Sequence, residues 1–470
     1  MVLGPRATSP RKSGEPVPWS IAEPSWLVLL AAASAFLVVF AWLPAWGAPY
    51  QYDDFNTPVG DAASQSLSSW WRLLPRTLRP LTKLSYALES SLGAVTAPSR
   101  RLLNAVLFAG CVALLKALLE TARAPASFAL LVACAWAVHP VHAETVVALA
   151  GRPVLLATFL ILASALCLRR AQPSAALVCA VLALLARESS LPWLVVCAVL
   201  ALHQRGVERQ RLVAAAAMAF GVGALVLGSS SGLRDLLASV FRSTGAWNRL
   251  GLQWAALTKG TWALFITPQS FTPDMEFAPS GLARLSLILC TLALYGAAIW
   301  LAVRKPHLRT FALLWLCLVV PTHSFVPKLD VLTARPFSAS LAPLLALAAC
   351  ATLPALARQP RLLPAMSLAL VAAIGGAFVL TRERAALYLD PIALWRDAAE
   401  RTAETTRPLV NWGTLLARDG QLREARGALK RALARDPSSV DIRLRLSAVE
   451  RAMLLGSSPP APSLELPAKP

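Results

Sequence analysis

The sequence predicts an all-α fold, a polytopic bundle of membrane-spanning helices followed by a small C-terminal helical domain. Of the 470 residues, 56% are hydrophobic and only 15% are charged, and the mean hydropathy is +0.57. Apolar runs recur from about residue 26 to residue 380, and a charged helical pattern begins after that point. A chain this apolar and this poor in charge has the composition of a multispan membrane protein.

Arginines beside the apolar runs set the orientation of the predicted spans, because cytoplasmic loops carry an excess of Lys and Arg. With the N-terminal tail 1–25 in the cytoplasm, this rule predicts about eleven spans and leaves the first loop, 44–101, and the C-terminal segment outside. The spans run at 26–43, 102–119, 124–138, 154–168, a hairpin within 174–203, 212–227, 285–303, 311–320, 341–353 and 362–380. These loops account for part of the net charge of +20, so we expect no nucleic-acid partner.

The C-terminal segment 381–455 predicts a helical domain with one tetratricopeptide repeat. Its residues 406–439 combine small residues such as Gly413 with a turn glycine, Gly420, between two helical patterns. This spacing is typical of a helix pair that packs closely. A small helical cap on the membrane domain and a peptide-binding surface are both open interpretations. The tail 456–470 is rich in Pro, Ser and Ala, which predicts disorder.

Ionisable residues gather on the predicted outer side of the membrane. Because such groups are costly at membrane depth, their convergence on one face predicts a functional cavity. Few of them fall within a span, which argues against a transporter. The candidate site residues are Asp53, Asp54, Arg79, Lys83, His139, His142, Glu144, Arg152, Glu188, Lys259, His323 and Arg335.

The first candidates are Asp53 and Asp54, in the sequence YQYDDF that follows the first predicted span. One carboxylate could accept a proton from an acceptor hydroxyl while the other orients it. The pair could instead hold a divalent cation, Mg or Mn, against a phosphate. A hydrated pair of loop residues is the alternative without function. The sequence establishes no cofactor.

Two further motifs each leave two interpretations open. Arg79 and Lys83 share one face of the predicted helix RPLTKLSYALE, which could lie on the outer surface as an amphipathic helix or bind a lipid phosphate. In HPVHAE, His139 and His142 stand three residues apart with Glu144 close behind. Hydrogen bonds that structure the loop are a simpler role for these histidines than a zinc site, since spacing fixes no third ligand.

Five ordered segments resemble the transmembrane and tetratricopeptide-repeat O-mannosyltransferases and their bacterial relatives, which belong to the GT-C superfamily of multispan glycosyltransferases. The segments are YDDF, RPLTKLSYALE, HPVHAETVVALAGRPVLLATFL, LLARESS and TARPFSAS, and the tetratricopeptide segment follows them. The resemblance covers about residues 26–437. The chain departs from the family pattern at Ala334, where the family has an acidic residue, and in having one recognisable repeat in place of a long array.

The resemblance implies a membrane glycosyltransferase that transfers a sugar from a polyprenyl-phosphate donor to Ser or Thr hydroxyls of exported proteins. It implies a multi-pass protein of a bacterial inner membrane, in contact with membrane lipids, with its active site and C-terminal domain in the periplasm. Asp53 and Asp54 match the acidic pair of the family, one of them as general base. The candidates for binding the donor phosphate are Arg79, Arg335, Lys83 and Lys259. The supporting cavity residues are His139, His142, Glu144, Arg152, Glu188 and His323.

Two other functions compete with this one. The same type of enzyme could transfer its sugar to a lipid or a surface glycan. A scaffold without catalytic activity, which docks partners through its tetratricopeptide repeat, is the alternative from another class. Replacement of Asp53 and Asp54 distinguishes the scaffold from an enzyme, because a scaffold does not need these aspartates.

Overall fold

The computed structural model of the chain describes residues 24–202, 246–273, 279–324, 332–401 and 405–456, with a few isolated positions between these ranges. Every regular element in this part of the chain is helical, which confirms the all-α prediction there. Residues 1–23, the predicted span at 212–227 and the tail 457–470 lie outside the described residues.

The principal helices number α1 to α13 in the membrane domain and α14 to α17 in the C-terminal domain. The membrane domain contains α1 (Ser25–Trp42), α2 (Leu67–Leu73), α3 (Pro80–Ser91), α4 (Ala97–Thr121), α5 (Ala126–Ala137), α6 (Arg152–Arg169), α7 (Pro173–Ala186), α8 (Leu191–Leu202), α9 (Ala246–Ile266), α10 (Gly281–Arg304), α11 (Arg309–Ser324), α12 (Ala334–Arg358) and α13 (Leu362–Leu387). The C-terminal domain contains α14 (Pro391–Arg401), α15 (Arg407–Arg418), α16 (Leu422–Arg435) and α17 (Val440–Leu455). Shorter helical turns, among them Tyr52–Asp54 and Ala143–Val146, connect them.

Six segments of the described residues are long and apolar enough to cross a membrane. They are Ser25–Gly47, Ala97–Thr121, Leu149–Arg169, Gly281–Arg304, Ala334–Arg358 and Leu362–Leu387. A seventh follows if Ala126–Ala137 and Pro140–Val146, which meet at 55°, form one broken span. The chain is therefore a multispan helical bundle.

Shorter apolar helices cover the other predicted spans in this part of the chain. They are Pro173–Ala186, Glu188–Leu200 and Arg309–Val320. Each is shorter than the roughly 20 residues that a full crossing needs. The number of eleven spans therefore stays a prediction, although each predicted span among the described residues coincides with an apolar helix.

Helices α4 and α6 run in the same direction, which gives the bundle two distinct ends. At one end Arg152 donates to the Asn104 side chain (2.8 Å) and to the carbonyl of Arg100 (2.7 Å). At the other end Arg169 donates to the carbonyl of Thr121 (2.8 Å). Helix α5 returns the chain between them. We call the end that contains Arg100, Asn104 and Arg152 the site end.

The loop 44–101 is a folded cap on the site end. Helix α3 within it buries Tyr86, whose hydroxyl donates to the carbonyl of Leu149 (2.5 Å). Thr82, one turn earlier, donates to the carbonyl of Ala186 (2.9 Å). Helix α3 thus packs against the bundle, and its two interpretations, an amphipathic helix at the outer surface and a binder of a lipid phosphate, stay predictions.

The C-terminal helices pack closely, as the small residues predict. A Cβ atom added to Gly413 in α15 would lie 2.9 Å from Cγ of Leu429 in α16 and 3.3 Å from the carbonyl oxygen of Ala425. Helix α17 covers this pair, and its Val449 belongs to the same buried cluster as Leu416 and Leu429. The assignment of these helices to a tetratricopeptide repeat stays a prediction. The predicted domain boundary at 380 falls within α13, which continues to Leu387.

Candidate functional site

Three segments far apart in the sequence meet at Arg335, near the start of α12. Its Nη2 donates to Oδ2 of Asp53 (2.6 Å), and its Nε lies 2.8 Å from Oε1 of Glu144. The side chains of Arg335 and Asp53 are 20% and 19% exposed. Arg335 therefore bridges two carboxylates at a position that a ligand can reach from solvent.

Asp54 lies in a different environment from its neighbour. Its side chain is fully buried, its Oδ1 accepts from the backbone amide of Ala150 (2.7 Å), and its Oδ2 accepts from that of Gln51 (2.9 Å). Burial raises the pKa of the Asp54 carboxyl, and the backbone amides of Gln51, Ala150 and Leu149 act in the opposite direction. Asp54 thus fastens the loop 44–101 to the turn before α6, while Asp53 faces the accessible side.

A second ion pair lies next to the first. Arg79 grips Glu188 with two hydrogen bonds, from Nη2 to Oε1 (2.7 Å) and from Nε to Oε2 (2.9 Å), the bidentate geometry that gives arginine its strongest pairs. Arg79 adopts a left-handed backbone conformation (φ 60°, ψ 58°) directly before Pro80. A residue of this kind there is strained by about 1–3 kcal/mol, which the bidentate pair and the packing of α3 offset.

Arg187 joins the two ion pairs into one cluster. It lies between α7 and the turn that leads to α8, with an extended backbone (φ −158°). Burial and the neighbouring charge of Arg79 lower the pKa of Arg187 to about 10, and Glu188, Arg335 and Glu144 also act on it. We call the following six residues the charged cluster: Asp53, Arg79, Glu144, Arg187, Glu188 and Arg335. When all six are ionised, three positive charges balance three negative ones.

The two lysine candidates lie apart from this cluster, and the structure does not place the side chain of His323. Lys83 is ion-paired with Asp61 within the loop 44–101. Lys259 is exposed on α9. The side chain of His323, near the end of α11, lies outside the described residues.

The histidine motif structures the turn after α5. His142 is fully buried, with Nδ1 2.7 Å from Oγ of Ser338 and Nε2 2.7 Å from the carbonyl oxygen of Trp136. His139 places its Nε2 2.7 Å from the carbonyl oxygen of Leu264. Both rings thus bind helices together, as the simpler of the two interpretations expects. Among the described residues no group of three or more His, Cys, Asp or Glu side chains is arranged to hold a metal ion.

Arg152 is an internal brace and does not line an open cavity. It is fully buried, donates from Nη1 to Oε2 of Glu89 (2.7 Å) and lies over the ring of Tyr86, with its Cζ 4.2 Å from the ring centroid. Its remaining donors bind Asn104, Ser85 and the carbonyl of Arg100. Because five N–H groups can satisfy several acceptors at once, arginine suits a buried junction of this kind.

Sequence reasoning missed two arginines that shape the loop around the site. Arg100 donates to the carbonyl of Pro58 (2.6 Å), and Arg101 donates to the carbonyls of Trp46 (2.8 Å) and Val147 (2.9 Å). Both are buried. A signal existed, because an adjacent pair of arginines at the start of an apolar helix is costly unless the guanidinium groups find acceptors.

The arrangement offers two chemical capacities side by side. Asp53 is a carboxylate that can accept a proton, and the arginines around it can stabilise negative charge on a phosphate oxygen. Asp54, Arg100, Arg101 and Arg152 hold the backbone that carries these groups. A scan against protein-family models gives no match to the chain, and searches of curated proteins and of solved structures give no significant match. The functional interpretation therefore depends on the residues of the site.

Proposed function

We propose that the chain is a membrane glycosyltransferase of the GT-C type. It transfers a sugar from a polyprenyl-phosphate donor to Ser or Thr hydroxyls of exported proteins, at the periplasmic face of a bacterial inner membrane. The observation that supports this most directly is the contact between Asp53 and Arg335, a partly exposed carboxylate beside a guanidinium. The motifs that contain these residues resemble those of the O-mannosyltransferases.

Asp53 is the general base in this proposal. As the acceptor oxygen bonds to C1 of the sugar, its proton moves to the Asp53 carboxylate. The bond from C1 to the phosphate oxygen breaks, and its electron pair leaves with the phosphate. Attack from the face opposite the phosphate inverts the configuration at C1. A positioned base contributes typically 10²- to 10⁴-fold to the rate.

Arg335 serves both halves of the reaction. Its guanidinium bonds with Asp53 when no donor is bound, and it can turn part of its hydrogen-bonding fork towards a phosphate oxygen when the donor arrives. Such a shift releases Asp53 to accept a proton and stabilises the leaving group at the same time. Glu144 keeps the guanidinium at the site during this exchange.

The position of the site suits a lipid-linked donor. The charged cluster lies at the site end, where the apolar helices α6 and α12 begin. A polyprenyl chain can stay in the bilayer beside such helices while its phosphosugar head group enters the cluster. A sugar bound to a soluble nucleotide would gain nothing from this arrangement.

The decisive assay uses purified full-length protein, a defined polyprenyl-phosphate sugar and Ser- or Thr-containing peptides. We expect sugar transfer that Asp53→Asn reduces at least about a hundredfold. Parallel reactions with a chelator determine whether Mg or Mn takes part. If activity is unchanged in Asp53→Asn, this catalytic proposal is wrong.

The acceptor class needs a separate experiment. Intact mass spectrometry of periplasmic proteins from cells with and without the gene should show hexose-sized increments that disappear with the gene. Loss of a modified lipid or surface glycan with unchanged protein masses would favour the other acceptor class. Normal function in Asp53→Asn cells together with loss of function after disruption of α15 and α16 would favour the scaffold.

A further inference from the structure

One guanidinium in the charged cluster forms no ion pair with any residue that the structure describes. Within the described residues, the side chain of Arg187 makes no hydrogen bond and no ion pair, and its Nε is shielded from solvent. An arginine normally satisfies its donors with carboxylates, carbonyl groups or water, because an unpaired charge removed from water is costly. The Nε of Arg187 is a donor of this kind, buried within the charged cluster without an acceptor among the described residues.

The nearby carboxylates are already engaged. Both oxygens of Glu188 accept from Arg79, and Oε1 of Glu144 lies against Arg335. Asp53 is bound by the same Arg335. Among the described residues, these carboxylates are in direct contact with the other two arginines, and Glu188 and Glu144 act on Arg187 only through their charge.

The two neighbouring arginines and the unsatisfied Nε of Arg187 give an anion a place to bind. Burial and the repulsion from Arg79 and Arg335 lower the pKa of Arg187 to about 10, although the carboxylates of Glu188 and Glu144 act in the opposite direction. A ligand with one negative charge would relieve this repulsion and satisfy the donors of Arg187. A phosphodiester carries one such charge at neutral pH, whereas a terminal phosphate monoester carries close to two.

The backbone of Arg187 is held in place, so the guanidinium is presented by a rigid support. Its amide donates to the carbonyl of Ala183 (2.9 Å), and its carbonyl accepts from the amide of Ser190 (3.0 Å). Thr82 of α3 binds the preceding carbonyl, that of Ala186. Little ordering entropy is then lost when a ligand binds, which is the advantage of a preorganised site.

We propose that Arg187 binds the phosphate of the lipid-linked donor, with the Arg79–Glu188 pair as the support that positions it. This assignment depends on the proposed function. It replaces Arg79 and Lys83 with Arg187 as the expected contact of the donor phosphate. Arg79 is committed to Glu188 by two hydrogen bonds and Lys83 to Asp61. The residue ready to receive a phosphate is therefore Arg187, and Arg335 joins it as the donor settles.

The test measures binding before it measures catalysis. Purified full-length protein is titrated with a polyprenyl-phosphate sugar, whose phosphodiester carries the single charge, and complexes are quantified by native mass spectrometry. Arg187→Gln should weaken binding about tenfold to a hundredfold, because a hydrogen-bonded charge is lost. Arg187→Lys should retain part of the affinity, as a point charge without the planar fork. Arg361→Gln, an exposed arginine at the start of α13, is the matched control and should bind like the wild type.

Thermal unfolding without lipid separates ligand binding from a structural role. Removal of an unpaired charge should leave the melting temperature of Arg187→Gln equal to that of the wild type or above it. A marked decrease would indicate that Arg187 supports the fold and would overturn the assignment. Absence of lipid binding by the wild type, or equal binding by Arg187→Gln, would overturn it too.

Sugar transfer then distinguishes this inference from the proposed function. If transfer occurs, Arg187→Gln should raise the KM for the lipid donor more than it lowers kcat. An unchanged KM would contradict the inference and leave the glycosyltransferase assignment intact. If lipid binding depends on Arg187 and yet no sugar is transferred to any acceptor, the phosphate site stands and the proposed function fails.

Discussion

Asp53 and Asp54 are chemically identical neighbours with opposite surroundings. In the helical turn Tyr52–Asp54, successive side chains are about 100° apart around the axis. One carboxylate therefore turns into the protein, where two backbone amides bind it, and the other turns towards Arg335. The geometry therefore gives Asp54 a structural role and leaves Asp53 accessible, a distinction that the motif alone does not make.

The two aspartates should respond differently to the same substitution. Asp54→Asn places an NH₂ group opposite the amide of Gln51 or Ala150, so the free energy of unfolding should fall by about 1–3 kcal/mol. Asp53→Asn removes a partly exposed ion pair and should change that free energy by less than about 1 kcal/mol. Thermal unfolding and sugar transfer are measured for both variants.

The transfer assay gives the complementary pattern. Asp53→Asn should lose activity while remaining folded, and the activity of Asp54→Asn should recover in part under conditions that stabilise the fold. The reverse pattern, a stable inactive Asp54→Asn and an active Asp53→Asn, would assign the base to Asp54.

At the scale of single residues the motifs predicted which side chains come together better than they predicted which of them are buried. The resemblance assigned Asp53, Asp54 and Arg335 to one site, and the structure brings Asp53 and Arg335 into contact. The resemblance could not assign different roles to Asp53 and Asp54, because their roles depend on which side of the turn Tyr52–Asp54 faces the bundle. Arg152 and His142 are polar residues in an outer loop by sequence, yet both are fully buried, since the loop folds over itself.

The turn before α6 has no room for a side chain at Gly151. An added Cβ atom would lie 2.6 Å from the carbonyl oxygen of Glu144 and 2.6 Å from Cα of Thr145. Gly151→Ala should therefore displace the segment that carries Glu144 and the amide of Ala150. We expect a destabilisation of about 1–3 kcal/mol and a decrease in transfer activity, measured by thermal unfolding and by the peptide assay.

The matched control for this substitution is Gly296→Ala in α10. Nothing lies within 4 Å of a Cβ atom at that position, so stability and activity should both stay close to those of the wild type. If Gly151→Ala behaves like Gly296→Ala, the close approach at Gly151 has no influence on the site.

The C-terminal helix pair provides a second element-scale test. Gly413→Ala should force α15 away from α16, because its Cβ atom would contact Leu429 at 2.9 Å, and the pair should lose about 1–3 kcal/mol. Gly427→Ala, on the exposed side of α16, has no neighbour within 4 Å and should be neutral or stabilising by up to about 1 kcal/mol. Hydrogen exchange in 407–435 of the full chain measures both effects, and equal protection in the two variants would contradict the packing argument.

At the scale of elements, hydropathy predicted where helices lie but not how the loops between them fold. Apolar runs specify helices because backbone groups in lipid must bond within their own segment. The cap 44–101 is not constrained in this way, because its backbone groups can bond to other segments. Its shape depends on buried side chains such as Arg100 and Arg101, which bind carbonyl groups more than forty residues away along the chain.

The predicted orientation of the chain in the membrane can be tested by chemical labelling. We expect the loop 44–101 and the C-terminal helices on one side of the membrane, and the turn after α6 on the other. In a chain whose native cysteines are replaced, Leu92→Cys and Ser438→Cys should react with a membrane-impermeant maleimide in intact cells. Ala171→Cys should react only after lysis. All three positions are exposed.

The labelling result also tests whether the number of crossings between positions 92 and 438 is even. Positions 92 and 438 lie on the same side only if the chain crosses the membrane an even number of times between them. Reaction of one and protection of the other would therefore exclude the predicted topology. The arginine distribution predicts the orientation of the bundle, but the count depends on short helices such as Pro173–Ala186, whose length does not specify a full crossing.

The contact between Asp53 and Arg335 has a consequence for biosynthesis. The two residues are separated by 282 positions, so a ribosome that adds about 5–20 residues per second makes the aspartate roughly 15–60 seconds before the arginine. During that interval the nascent chain carries the carboxylate without its guanidinium partner. A nascent chain that ends before α12 therefore cannot form this contact, and the charged cluster is complete only when α12 has packed against the helices made before it.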